Sequence, residues 1–100
     1  MIIEYIVVGA QGGIKAFGWD GENNDLKNLK VEHTGTGTYK LSWDALASQP
    51  GVAGTVNASA DLAGKLVLNA SSVTTSSLSV VIRTASGQLA DAEFTCTIMH

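Results

Sequence analysis

The stretch Thr38-Tyr39-Lys40-Leu41-Ser42-Trp43 alternates without a fault, with Tyr39, Leu41 and Trp43 on one side and Thr38, Lys40 and Ser42 on the other. A period of two places successive side chains on opposite faces of a strand, so this segment reads as a strand with one buried face. Residues 77–84 repeat the pattern, setting Leu78, Val80 and Ile82 against Ser77, Ser79 and Arg83. Residues 92–99 do so again, with Phe94, Cys96 and Ile98 facing inward. Thr34-Gly35-Thr36-Gly37 and Ala85-Ser86-Gly87-Gln88 are the turns that lead into two of these segments.

Working outward, five more segments read as strands: residues 2–8, 14–19, 29–33, 52–58 and 65–70. In residues 14–19, Phe17 and Trp19 share one face and Ile14 and Ala16 the other. Residues 44–49 are expected to make one helical turn, capped by Asp44 and stopped by Pro50. Eighteen Ser or Thr, fifteen Val or Ile and eleven Gly in 100 residues suit short strands broken by turns. The expectation is one all-β domain over residues 1–100, an antiparallel sandwich of about eight strands with jelly-roll-like character.

The opening segment is unusual. Ile2, Ile3, Tyr5, Ile6, Val7 and Val8 make both of its faces apolar, with Glu4 the exception. A strand of that kind is covered on both sides, by its own fold or by another subunit. It is too short to span a bilayer, and it lacks the basic start and long apolar run of a signal peptide. The chain is therefore expected to be made in a cytoplasm and to leave it, if at all, within a virion or other particle. Asn57-Ala58-Ser59 and Asn69-Ala70-Ser71 match the glycosylation acceptor pattern, which matters only on a eukaryotic secretory route.

Composition excludes several function classes. A net charge of −3 with six scattered Lys and Arg argues against nucleic acid, which needs a basic stripe. One cysteine excludes an intrachain disulfide framework. His33, His100 and Cys96 show no metal-ligand spacing and fall in no catalytic motif. The oxygen donors of Asp20-Gly21-Glu22-Asn23-Asn24-Asp25 lack the spacing of a Ca²⁺ loop and read as a hairpin loop. The glycines of Gly9-x-x-Gly12-Gly13 and Gly35-x-Gly37 lack the helix and Lys-Ser/Thr pair of a phosphate loop. No enzyme activity, cofactor or metal is expected.

Two binding readings remain. Trp19 beside Asp20, Asn23 and Asn24 would offer a sugar an aromatic face and groups that bond its hydroxyls. Trp19 equally suits a core position, and the core is preferred. Self-association has firmer physical support: a sandwich of this size has a thin core, residues 2–8 are apolar on both faces, and Val67 and Val81 interrupt otherwise polar faces.

Gly37-Thr38-Tyr39-Lys40-Leu41 resembles the Gly-x-Tyr-x-Leu/Phe strand start of C1q-like domains and of phage tail-fibre receptor-binding heads. Val80-Val81-Ile82-Arg83-Thr84-Ala85-Ser86-Gly87, followed by Asp91-Ala92-Glu93-Phe94-Thr95-Cys96-Thr97-Ile98, is similar to the closing hairpin of such fibre tips. The resemblance covers roughly residues 27–98. It implies a homotrimer that recognises a receptor, most simply a cell-surface glycan, without catalysis. It makes Tyr39 and Phe94 core or trimer-packing residues; Ile2, Ile3, Tyr5 and Val7 are expected as packing residues from the two apolar faces of residues 2–8. The alternative is a structural virion or assembly protein with no small-molecule ligand.

Overall fold

Alternation becomes architecture in eight strands, described from a computed structural model over residues 1–20, 26–57 and 65–100. They are β1 (Ile3–Val8), β2 (Ile14–Asp20), β3 (Lys30–Gly35), β4 (Thr38–Ser42), β5 (Gly51–Val56), β6 (Leu66–Ser71), β7 (Ser77–Thr84) and β8 (Phe94–Met99). Two antiparallel four-stranded sheets result, in the orders β2-β1-β8-β5 and β3-β4-β7-β6. This is the all-β sandwich that the periodicity predicts. Among the described residues none is helical and no helix could cross a membrane.

The core lies between the central strands of the two sheets. Ile6 and Val8 of β1 with Phe94, Cys96 and Ile98 of β8 face Tyr39 and Leu41 of β4 and Leu78, Val80 and Ile82 of β7, and all of them are buried. Each large apolar side chain withdrawn from water contributes about 1.5–3 kcal/mol before the entropy of ordering it is charged. Trp43 and Leu26 complete the cluster.

One side of the sandwich is tightly closed. Edge strands β5 and β6 lie against each other, and Gly54 is what permits it. A Cβ on Gly54 would overlap Leu68 Cδ2, so the missing side chain makes room for a leucine from the opposite sheet. At the other end of the core, Gly37 takes φ +69° in the β3–β4 turn, and a Cβ there would lie 2.6 Å from the Ile82 carbonyl oxygen. Glycine satisfies both demands.

Three sequence expectations change. Residues 44–49 form no helical turn. The amides of Trp43, Asp44 and Leu46 instead donate to Ser76, Lys27 and Thr75 carbonyls, so partners from other segments replace the i−4 bonds of a helix. In β2, a register shift opposite Val7/Val8 takes Lys15 out of the alternation. Ile14 therefore joins Phe17 and Trp19 on the inner side rather than Ala16 on the outer. Trp19 is on that side but is not a core residue: β2 is an edge strand, and the indole remains half exposed (50 %).

Candidate interaction face

The outer side of the β2-β1-β8-β5 sheet is built from three cross-strand rows. Asp20, Ile3, Met99 and Gly51 form the first; Gly18, Tyr5, Thr97 and Ala53 the second; Ala16, Val7, Thr95 and Thr55 the third. Asp20, at a corner, is the single charged residue in these rows. Tyr5 is 42 % exposed, and its neighbours across β2 and β8 are a glycine and a threonine, so the ring stands above a low surface. Ile3 and Val7 are partly exposed on either side of it. A single chain thus covers one face of β1 and leaves the other open.

Beyond the third row a polar rim begins. Lys15 Nζ donates to Glu93 Oε1 at 2.5 Å, Asn57 Nδ2 to Thr95 Oγ1 at 2.8 Å, and the Asn57 amide to the Glu93 carbonyl oxygen at 2.9 Å. Lys15, and after it Asn57, hold the Glu93 carboxyl below its ordinary range. An uncharged centre with a polar margin is the anatomy of a protein interface.

A second acidic residue of this sheet lies inside. Glu4 is fully buried, on the inner side of β1 opposite Trp19 and Ile98. Its Oε2 lies 2.7 Å from His100 Nε2, and its Oε1 accepts from the Leu26 amide at 3.3 Å. His100 is brought there by backbone pairing with Ile2 in both directions, at 2.7 and 2.9 Å. A carboxyl group buried here without such partners would be costly.

A second polar cluster ties three turns together. Asp91 Oδ1 accepts from the Gly37 amide at 2.6 Å and lies 2.8 Å from His33 Nε2. Tyr39 donates its hydroxyl to the Ala10 carbonyl oxygen at 2.6 Å and stacks against the His33 ring at 4.8 Å. The Gly37 amide, and then His33, hold the Asp91 carboxyl below the usual carboxylate range. Burial first, and the Asp91 charge after it, raise the Tyr39 hydroxyl above its ordinary value. The groups engage one another, so the cluster serves as a clasp. Burial pushes the Cys96 thiol up to about 12, which makes it packing rather than a nucleophile.

The residues proposed from sequence divide accordingly. Ile3, Tyr5 and Val7 share the open face, and Ile2 sits just before it in the pairing with His100. Tyr39 and Phe94 are buried within one chain at 1 % and 0 % exposure, so of the two roles the resemblance implied, core or trimer packing, they take the core one. Their rings contact each other at 4.9 Å. Trp19 and Asp20 are both exposed at the end of β2, while Asn23 and Asn24 lie outside the described residues. Sequence reasoning missed Glu4 and Asp91 as anchors. Glu4 did give a signal, as the one charge in an apolar strand; Asp91 gave none.

No family model matches this chain, and no curated protein or solved structure is similar to it at significance.

Proposed function

We propose that this chain is a non-catalytic recognition and assembly module that joins copies of itself through the outer face of the β2-β1-β8-β5 sheet. The observation that carries the reading is the outer side of that sheet: Ile3, Tyr5, Val7 and Met99 occupy its rows, while Glu4 of β1 is sealed inside. A soluble domain that buries a charge and exposes apolar groups has a partner for those groups. The face measures about 400 Å² in projection at ~4.8 Å between strands and ~3.4 Å per residue. A stable interface needs about 800 Å² per partner, so each copy should use more than one contact, as in a closed ring. The likeness of residues 27–98 to fibre tips favours a trimer.

Sedimentation across a concentration series tests assembly. Association that is lost in Tyr5→Lys, with the circular dichroism spectrum unchanged, is the expected result. A monomer at every concentration would remove the reading.

The half-exposed Trp19 supports a glycan as the recognised ligand, with Asp20 on the opposite side of β2 and outside that contact. A glycan array on the assembled protein separates the two roles. Binding that Trp19→Ala abolishes supports recognition; an assembled protein that binds no sugar is a structural component alone.

A further inference from the structure

Val67 and Val81 interrupt polar strand faces in the sequence, and assembly through the other sheet leaves them unused. The fold brings them together. On the outer side of the β3-β4-β7-β6 sheet, Val67 pairs across with Arg83, and Asn69 pairs across with Val81. Two apolar side chains and two polar ones therefore form a small checkerboard. Val67 is 59 % exposed, more than any other β-branched apolar residue among those described. With Thr84 and Gly87 these four residues line a depression of about 300 Å³, at the low end for small-molecule sites.

Arg83 is held in place. Its Nη1 donates to the Gly87 carbonyl oxygen at 3.1 Å. The turn that presents this oxygen is fixed by hydrogen bonds from the Gly87 amide to the Thr84 carbonyl and from the Thr84 amide to the Gln88 carbonyl. Among the described residues no carboxylate is paired with the guanidinium, although the chain as a whole is acidic. One N–H is thus used for positioning, and among the described residues the remaining donors of the planar fork have no partner, which suits a two-point contact with a carboxylate.

We propose that Val67, Asn69, Val81 and Arg83 form a binding site for a carboxylate carried on a compact apolar body, about the size of one amino-acid residue. Arg83 takes the carboxylate by charge and fork geometry. The valines take the apolar body, and the Asn69 amide is placed to bond a neighbouring polar group. Such a ligand supplies the charge that Arg83 lacks and covers the exposed Val67, which neither a sugar without an acid group nor a plain hydrocarbon does. The inference is independent of assembly through the opposite sheet.

Titration of ¹⁵N-labelled protein with N-acetyl-leucine, followed by amide chemical shifts, tests it. N-acetyl-leucinamide keeps the body without the charge, and acetate keeps the charge with little body. Saturable shifts centred on Val67, Asn69, Val81 and Arg83 are expected, with the acid binding about tenfold or more tighter than either control. Arg83→Gln should lose at least that factor, and Val67→Ser several-fold, with the rest of each spectrum unchanged. Equal binding of acid and amide, shifts centred elsewhere, or no saturation up to tens of millimolar would overturn the proposal. A leucine-terminated tetrapeptide identifies the source: tighter binding than N-acetyl-leucine marks a chain terminus, and equal binding a free acid. Sedimentation of the same variants should be unchanged, so failure here is separable from failure of the assembly reading.

Discussion

The two sheets close one apolar core and differ in what they turn outward. The β3-β4-β7-β6 sheet sets Leu41, Leu78, Val80 and Ile82 inward and carries Lys30, Glu32, Lys40 and Arg83 on its outer side. The β2-β1-β8-β5 sheet sets Glu4 inward, among Ile6, Val8 and Ile98, and has Ile3, Tyr5, Val7 and Met99 in its outer rows. The first arrangement is that of a sheet facing water. The second keeps a costly internal charge together with an apolar exterior. Alternation alone therefore fixes which residues share a side, while the second sheet and the chain end decide which side is inside.

The largest test of this contrast is to remove the internal charge. Glu4→Ala removes the carboxylate that His100 and the Leu26 amide both engage, and should cost about 3–5 kcal/mol in urea unfolding. Glu4→Gln, which keeps a hydrogen-bonding oxygen, should cost less. A loss below about 1 kcal/mol would mean that the pair does not hold β1 to the chain end.

Next comes the separation of the sheets. Gly54→Val forces a side chain into the space of Leu68 and should destabilise by about 1–3 kcal/mol. Trimming the neighbour in Gly54→Val/Leu68→Ala should recover part of that loss in thermal unfolding, if the two residues compete for one volume.

Acid probes the clasp between the turns. The Asp91 carboxyl is depressed in the folded state, so its contribution is complete above the ordinary carboxylate range and is lost as pH falls through the lower, folded value. The melting temperature should fall in that acid window, and Asp91→Asn should be less stable near neutrality with a flatter acid limb. An unaltered limb would remove Asp91 from the account. The smallest effect belongs to the charged exterior: Lys40→Ala, opposite Glu32 on the β3-β4-β7-β6 sheet, should change stability by less than about 0.5 kcal/mol.

Much of the fold was legible because Leu78, Val80 and Ile82, and likewise Phe94, Cys96 and Ile98, alternate cleanly, and all six are buried. What escaped depends on contacts distant in sequence. The shift that places Lys15 out of phase is a property of the β1–β2 pairing, not of β2. Residues 44–49 carry helix signals, yet carbonyls at 27 and 75 take the amides of Asp44 and Leu46. The candidate face was half legible: residues 2–8 announced surplus apolar surface, but Gly18 and Thr97, which flank Tyr5, are aligned with it only by register. Glu4 stands 96 residues from its partner, a separation that no local pattern spans.

The position of β8 has a consequence for the order of folding. It is inserted between β1 and β5, and it is the in-sheet neighbour that joins them. Hairpins β1–β2, β3–β4 and β6–β7 can form from adjacent segments, but β5 has no partner until residues 94–99 arrive. During synthesis the β2-β1-β8-β5 sheet must therefore wait for residues 94–99, with Ile6 and Val8 unsealed meanwhile. Such distant closure is slow, and the waiting species is the one most exposed to aggregation.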